Sequence, residues 1–154
     1  MSNADSRTIS EHRRARYEYF VLETFEAGLV LTGTEVKSLR MGKVTMSDAW
    51  IRIEDGQAAL LQLHIAPYAL GNRYNHDPLR PRPLLLHKAE IRRLYGTIKQ
   101  DGLSLIPLRL YWKGQHAKLE FGLCRGKKLH DKREAIAGRD ARREMERAVK
   151  GHGR

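Results

Sequence analysis

Cations are the chemistry-bearing side chains that recur in this sequence with order. Lys37 and Arg40 stand three apart, which puts them on one face of a short helix, and Lys43 follows just beyond. Lys118 and Glu120 alternate with Leu119 and Phe121, so they point outward from a strand whose other face is buried. Tyr111, on the neighbouring strand, is expected to be an aromatic on the exposed face. Outward cations beside an outward ring suit a phosphate backbone and a stacked base, and so point to RNA or DNA.

The other reactive types lack such order. His12, His64, His76, His87, His116, His130 and His152 are scattered, with no pair at metal-ligand spacing. Cys124 has no nominated histidine partner, and as the only cysteine it excludes a disulfide framework. It is expected at a strand end, on the face away from Leu119, Phe121 and Leu123. Asp48, Glu54 and Asp55 are the close carboxylates of the strand region, but Glu54 and Asp55 belong to a turn. Phosphate-binding glycine loops and the nucleophile elbow are absent from the sequence. No enzyme, metal or cofactor is expected; a magnesium-dependent nuclease using Asp48 and Glu54 is the catalytic alternative.

Charge agrees with a polyanionic partner. Over 154 residues, 29 Lys and Arg oppose 18 Asp and Glu, a formal net charge of +11. From Arg125 to Arg154, eleven Lys and Arg face five Asp and Glu, with no aromatic residue and few large apolar ones. Such a segment adds little to a core, and is expected to be disordered when free and helical only against a partner. Ala137, Ala141, Met145 and Val149 would form its narrow apolar stripe, interrupted at Gly138. Apolar runs do not exceed four residues and Met1 to Arg16 has no apolar h-region. Neither a membrane span nor a secretory signal is therefore expected, and a cytoplasmic setting is.

Several elements must position these groups. Strands are expected from Tyr17 to Thr24 with an extension through Leu29-Val30-Leu31, and over Ala49 to Glu54, Gln57 to Ile65, Ile106 to Trp112 and Ala117 to Leu123. Asp55-Gly56 and Lys113-Gly114-Gln115 read as hairpin turns. Thr32-Gly33-Thr34-Glu35 is a capping box opening a helix that closes near Gly42. Gly71 to Pro83 reads as a long loop, and Ile91, Leu94, Tyr95 and Ile98 mark one face of a helix ending at Asp101-Gly102. Short strands need their edges closed or covered, which favours a small barrel over an open sheet with helices on one side.

Arg14-Ala15-Arg16-Tyr17-Glu18-Tyr19-Phe20, Gly33-Thr34-Glu35-Val36-Lys37-Ser38-Leu39-Arg40, Leu110-Tyr111-Trp112-Lys113 and Gly126-Lys127-Lys128-Leu129-His130-Asp131-Lys132-Arg133 together resemble the SmpB family, the SsrA-binding proteins of bacteria. The resemblance implies a mainly β fold: an oligonucleotide-binding-like closed β-barrel of about six antiparallel strands, two or three embedded helices and a basic C-terminal tail. It implies a flexible N-terminus over 1–13, the barrel over 14–125 and the tail over 126–154. It further implies binding to the tRNA-like domain of transfer-messenger RNA (tmRNA, the SsrA RNA), delivery to stalled 70S ribosomes, and trans-translation by a monomer. Glu26, Leu85 and Lys118 match the family's RNA contacts, and Gly28 and Tyr17 join Lys37, Arg40 and Lys43 in the expected RNA-binding set. Tyr17 departs from the histidine frequent in the family. Gly126, Lys127, Lys128, Asp131, Lys132 and Arg133 match the tail motif, which enters the empty message channel near the small-subunit decoding centre; Gly126 is its expected hinge. A general single-strand-binding barrel is the non-ribosomal alternative, against which the low aromatic content of 7% counts.

Overall fold

A computed structural model describes residues 6–70, 75–128 and Arg143. In chain order the elements are β1 (Ser6–Glu11), α1 (Ala15–Glu18), β2 (Tyr19–Leu29), α2 (Gly33–Arg40), β3 (Val44–Thr45), β4 (Trp50–Glu54), β5 (Gln57–Leu61), β6 (His64–Ile65), β7 (Arg82–Leu85), α3 (Lys88–Asp101), β8 (Ser104–Lys113) and β9 (His116–Gly126). Asp131, Lys132, Arg133 and the apolar stripe expected in the tail lie outside the described residues.

Seven strands form one antiparallel sheet in the order β1-β8-β9-β2-β7-β5-β4, and β3 pairs with β6 separately. The expected closed barrel of about six strands needs correction, because β1 and β4 remain as unjoined edges. The sheet curls far enough to bring β4 close to β8, but no ladder joins them. Each short strand contributes its own twist, and curling rather than closure brings the inner faces together.

Leu60, Leu63, Ile65, Leu110, Leu119 and Phe121 are fully buried, and Phe121 stacks on Phe25 with ring centroids 5.4 Å apart. Burying each such side chain contributes about 1.5–3 kcal/mol. Leu39 from α2 and Leu94 from α3 join this core. Asp55 and Gly56 both adopt positive φ (53° and 73°), the backbone a tight β4–β5 hairpin requires.

Four local expectations change. Ser6–Glu11, inside the segment expected to be flexible, pairs as β1 along β8. Tyr17 lies in α1 rather than opening a strand. Arg82 and Pro83, assigned to a long loop, belong to β7; proline is tolerated because β7 is only four residues long and pairs briefly on each side. The strand expected through Ile65 breaks at Gln62, whose φ of 58° turns the chain from β5 into β6. Cys124, on the sheet face away from Leu119 as expected, is nevertheless fully buried, because Ala15, Ile106 and Leu108 pack against it.

Candidate nucleic-acid interface

Strand register assembles the site. Lys118 on β9 stands opposite Gly28 on β2, and Gly28 stands opposite Leu85 on β7, so three adjacent strands place these residues in one row. Tyr111 on β8 extends the row, opposite Lys118. Gly28 is itself buried: a Cβ added there would lie 3.3 Å from Leu85 Cδ1 and 3.7 Å from Lys118 Nζ, so its lack of a side chain lets Leu85 and Lys118 close over the strand. Leu85 is 63% exposed, an unusual position for leucine in the middle of a sheet. A cleft of about 190 Å³ is bordered by Gly28, Leu85 and Lys118 together with Trp112, Gln115 and His116.

Glu26 lies two residues before Gly28 and therefore on the same face. Its carboxylate accepts hydrogen bonds from the Tyr111 hydroxyl and from Lys113 Nζ at 3.4 Å. The tyrosine hydrogen bond holds the Glu26 carboxyl below the usual carboxylate range, outweighing its slight burial, and Lys113 and Lys118 add to the effect. Burial, followed by the bond to Glu26, pushes the Tyr111 hydroxyl well above the ordinary tyrosine value, so it remains a donor. Tyr111 is thus not the exposed aromatic expected: it is 4% exposed, with the Arg109 guanidinium 4.2 Å above its ring. A ring covered by one side chain and bonded by another is not available to a base.

A second, larger cleft of about 500 Å³ shares Trp112 and Gln115 with the first and is lined by Arg40, Arg7, Thr8 and Leu39. Arg40 is thereby brought alongside the Lys118 row. Lys37 is directed to Tyr68, with its Nζ 5.4 Å from the ring centroid. Lys43 is exposed, and its backbone joins Ser38 and Ala66 through hydrogen bonds that close the end of α2. Tyr17 is not part of this cluster. It stands in α1 near Tyr19, which pairs with Gly126 at the other end of β9, roughly 26 Å along the strand from Lys118 at about 3.3 Å per residue.

The root of the tail is tied down. Gly126 pairs with Tyr19, the Lys127 N–H donates to the Glu18 carbonyl at 2.8 Å, and Lys127 Nζ donates to the Arg16 carbonyl at 2.9 Å. Arg125 and Lys127 both lie over the Phe20 ring, at 5.1 and 4.9 Å. Gly126 is therefore held within the β2–β9 ladder, and the chain is anchored by backbone and side-chain bonds through Lys127.

Beneath the interface is a charged network that sequence patterning did not reveal. Glu35, fully buried, completes its capping box by accepting from the Thr32 N–H at 2.8 Å, and it also accepts from Arg80 and Arg82, each at 2.6 Å. Arg82 donates onward to the carbonyls of Leu63 and Pro78. His76 Nε2 donates to the Ile65 carbonyl at 2.9 Å, and Nδ1 pairs with the Thr34 hydroxyl at 2.8 Å. Burial alone would raise the Glu35 carboxyl, but the bonds from Arg80, Thr32 and Arg82 prevail and hold it at about 2. The network locks α2 to β7, and with it the relative positions of Arg40 and Leu85. The only sequence signal was Glu35 in its capping box, whose arginine partners lie more than forty residues away.

Glu54 is paired with Arg52 at 3.0 Å beside the β4–β5 turn, and burial pushes the Cys124 thiol up to about 11. Among the described residues no group of three His, Cys, Asp or Glu gathers at a metal-holding distance, and no helix is long and apolar enough to cross a membrane.

Comparison with known proteins adds the lineage. The family model described as SmpB protein matches residues 9–151. An SsrA-binding protein of Desulforudis audaxviator is 54% identical over 151 residues, covering 98% of this chain and 99% of that one. The SsrA-binding protein of Pelotomaculum thermopropionicum is 56% identical over 144 residues, covering 94% of each. A solved structure described as "tmRNA-SmpB: a journey to the center of the bacterial ribosome" contains a chain that is 52% identical, with a TM-score of 0.66, covering 82% of this chain and 93% of that one. A shared sheet, a shared sequence over nearly the whole length and the quoted motifs agree: the chain belongs to the SmpB protein family.

Proposed function

We propose that this chain is a non-catalytic adaptor that binds the tRNA-like domain of tmRNA and brings it to stalled ribosomes. Relatives sharing more than half of its residues are named for binding the SsrA RNA, and the similar solved chain is described with tmRNA and the bacterial ribosome. The observation that supports a place for the RNA is the row Lys118–Gly28–Leu85. Lys118 offers an ammonium to a phosphate, Leu85 offers an exposed apolar surface to a base or ribose, and Gly28, buried between them, lets the two side chains sit close together. Glu26 orients Lys113 and the Tyr111 hydroxyl from behind. Contacts of this kind recognise folded shape more than base sequence. The curled sheet is read as an oligonucleotide-binding-type barrel left open where β4 approaches β8.

The tail, 126–154, is assigned a separate task. Beyond its anchored root it carries Lys128, Asp131, Lys132 and Arg133 toward the message channel, where RNA phosphates would neutralise its self-repulsion and allow a helix to form. The protein acts in the cytoplasm, as a monomer in the complex, without cofactor or membrane partner.

Recovering the RNA that co-purifies with the full-length protein tests this function. Enrichment of tmRNA is expected. A mixed RNA population without that enrichment would overturn it and favour a general single-strand binder.

A further inference from the structure

Helix α3 carries a second ordered set of cations that the Lys118 row does not include. Lys88, Arg92, Tyr95 and Lys99 are spaced four, three and four apart, which aligns them along one flank of the helix. All four are exposed, while Ile91 and Leu94 bury the core side. Lys99 Nζ lies 5.1 Å from the centroid of the Tyr95 ring, so cation and ring present a joint surface. At about 1.5 Å per residue the stripe is roughly 16 Å long.

Two features separate this stripe from an ordinary solvated helix face. Arg93, one position off the stripe, is engaged by the body of the protein through Glu23 at 3.4 Å and the Phe25 ring at 5.5 Å. Among the described residues, Lys88 and Arg92 have no ion-pair partner. Moreover, the placement works against the helix: Lys88 is its first residue, where the macrodipole disfavours a cation, and Lys88 and Arg92 repel at i, i+4. Glu90 in the first turn and Lys99 in the last suit the macrodipole, so it is Lys88 and Arg92 that depart from the local rule, and a departure of that kind is expected at a functional site. The stripe also begins three residues after Leu85, so it continues directly from the exposed end of the candidate interface.

We propose that the exposed flank of α3 is a phosphate-binding surface that prolongs the footprint on the same structured RNA from Leu85 along Lys88, Arg92 and Lys99, with Tyr95 supporting Lys99. This rests on the tRNA-like domain being the ligand of the Lys118 row.

The test uses the full-length chain and a transcribed tRNA-like domain of tmRNA, with binding measured across a range of salt. Replacing all three cations (K88Q/R92Q/K99Q) is expected to weaken binding about tenfold near physiological salt and to reduce the salt slope by about two to three. K88E alone is expected to weaken RNA binding while leaving thermal stability unchanged or raised, a divergence that a purely structural role would not produce. Wild-type affinity and slope in the triple variant overturn the proposal. So does a triple variant that binds this RNA normally but loses affinity for ribosomes, since the stripe would then serve ribosomal RNA. Lys118→Ala separates the two levels: if it weakens binding and the triple variant does not, only the α3 assignment fails. If the wild-type chain does not prefer the tRNA-like domain over unrelated RNA of equal length, the underlying function fails as well.

Discussion

Glu35 stays an anion without touching water because three donors replace its hydration. Removing one member of a buried pair strands the other charge, so Glu35→Ala is expected to destabilise the fold by about 3–5 kcal/mol in urea unfolding. Its lowered pKa also sets a sign. The stability this carboxylate contributes is fully present above its ordinary value near 4.5, and is lost as pH falls toward about 2. Acid unfolding of the wild type should therefore deepen between those limits, and Glu35→Gln should flatten that part of the curve. Gly28 makes a different case. In Gly28→Ala the new methyl presses on the exposed side chain of Leu85, which can swing away. Thermal stability should change little while RNA affinity falls several-fold; an unchanged affinity would remove Gly28 from the interface. Glu35 was legible in the sequence only as a helix cap, because nothing local announces a partner forty residues distant. Lys118 was legible as an outward residue because strand alternation is local.

Among the elements, β9 links the two ends of the molecule. Its beginning holds Lys118 opposite Gly28, and its end carries the tail root, bonded through Lys127 to α1. The expected hinge at Gly126 is the last pair of this ladder, and the chain stays bonded to α1 through Lys127. A chain ending at His130 keeps both the Lys118 row and the anchored root. It is expected to bind tmRNA with nearly wild-type affinity in a filter or fluorescence assay, and to fail in tagging nascent chains on stalled ribosomes. Tagging by the shortened chain would refute that division of labour. The hairpins around Gly56 and Gly114, the α2 cap and the face of α3 were all legible, since each depends on a turn residue or a period within a few positions. β1 and β7 were not: their sequences carry charges or proline, and only partners far along the chain make them strands.

For the molecule as a whole, the excess of positive charge sets an expectation for recognition. With a net charge of +11, binding to a structured RNA should weaken steeply with salt, since each neutralised phosphate releases counterion. Lys118→Ala is expected to reduce the log–log slope by about one and to weaken binding to matched and altered base sequences alike. A complex indifferent to salt would contradict this electrostatic design.

The order of the residues alone determined the cationic character, the mainly β composition, the outward position of Lys118 and the family motifs, because charge, alternation and short motifs are properties of neighbours along the chain. Only the tertiary structure decided that the sheet curls without closing, that Tyr111 is covered and bonded to Glu26, that Glu35 is shared by two arginines, and that Lys118, Gly28 and Leu85 form one row while Tyr17 stands apart. These depend on ladders between distant segments, where a shift of one residue in register would send each side chain to the opposite face.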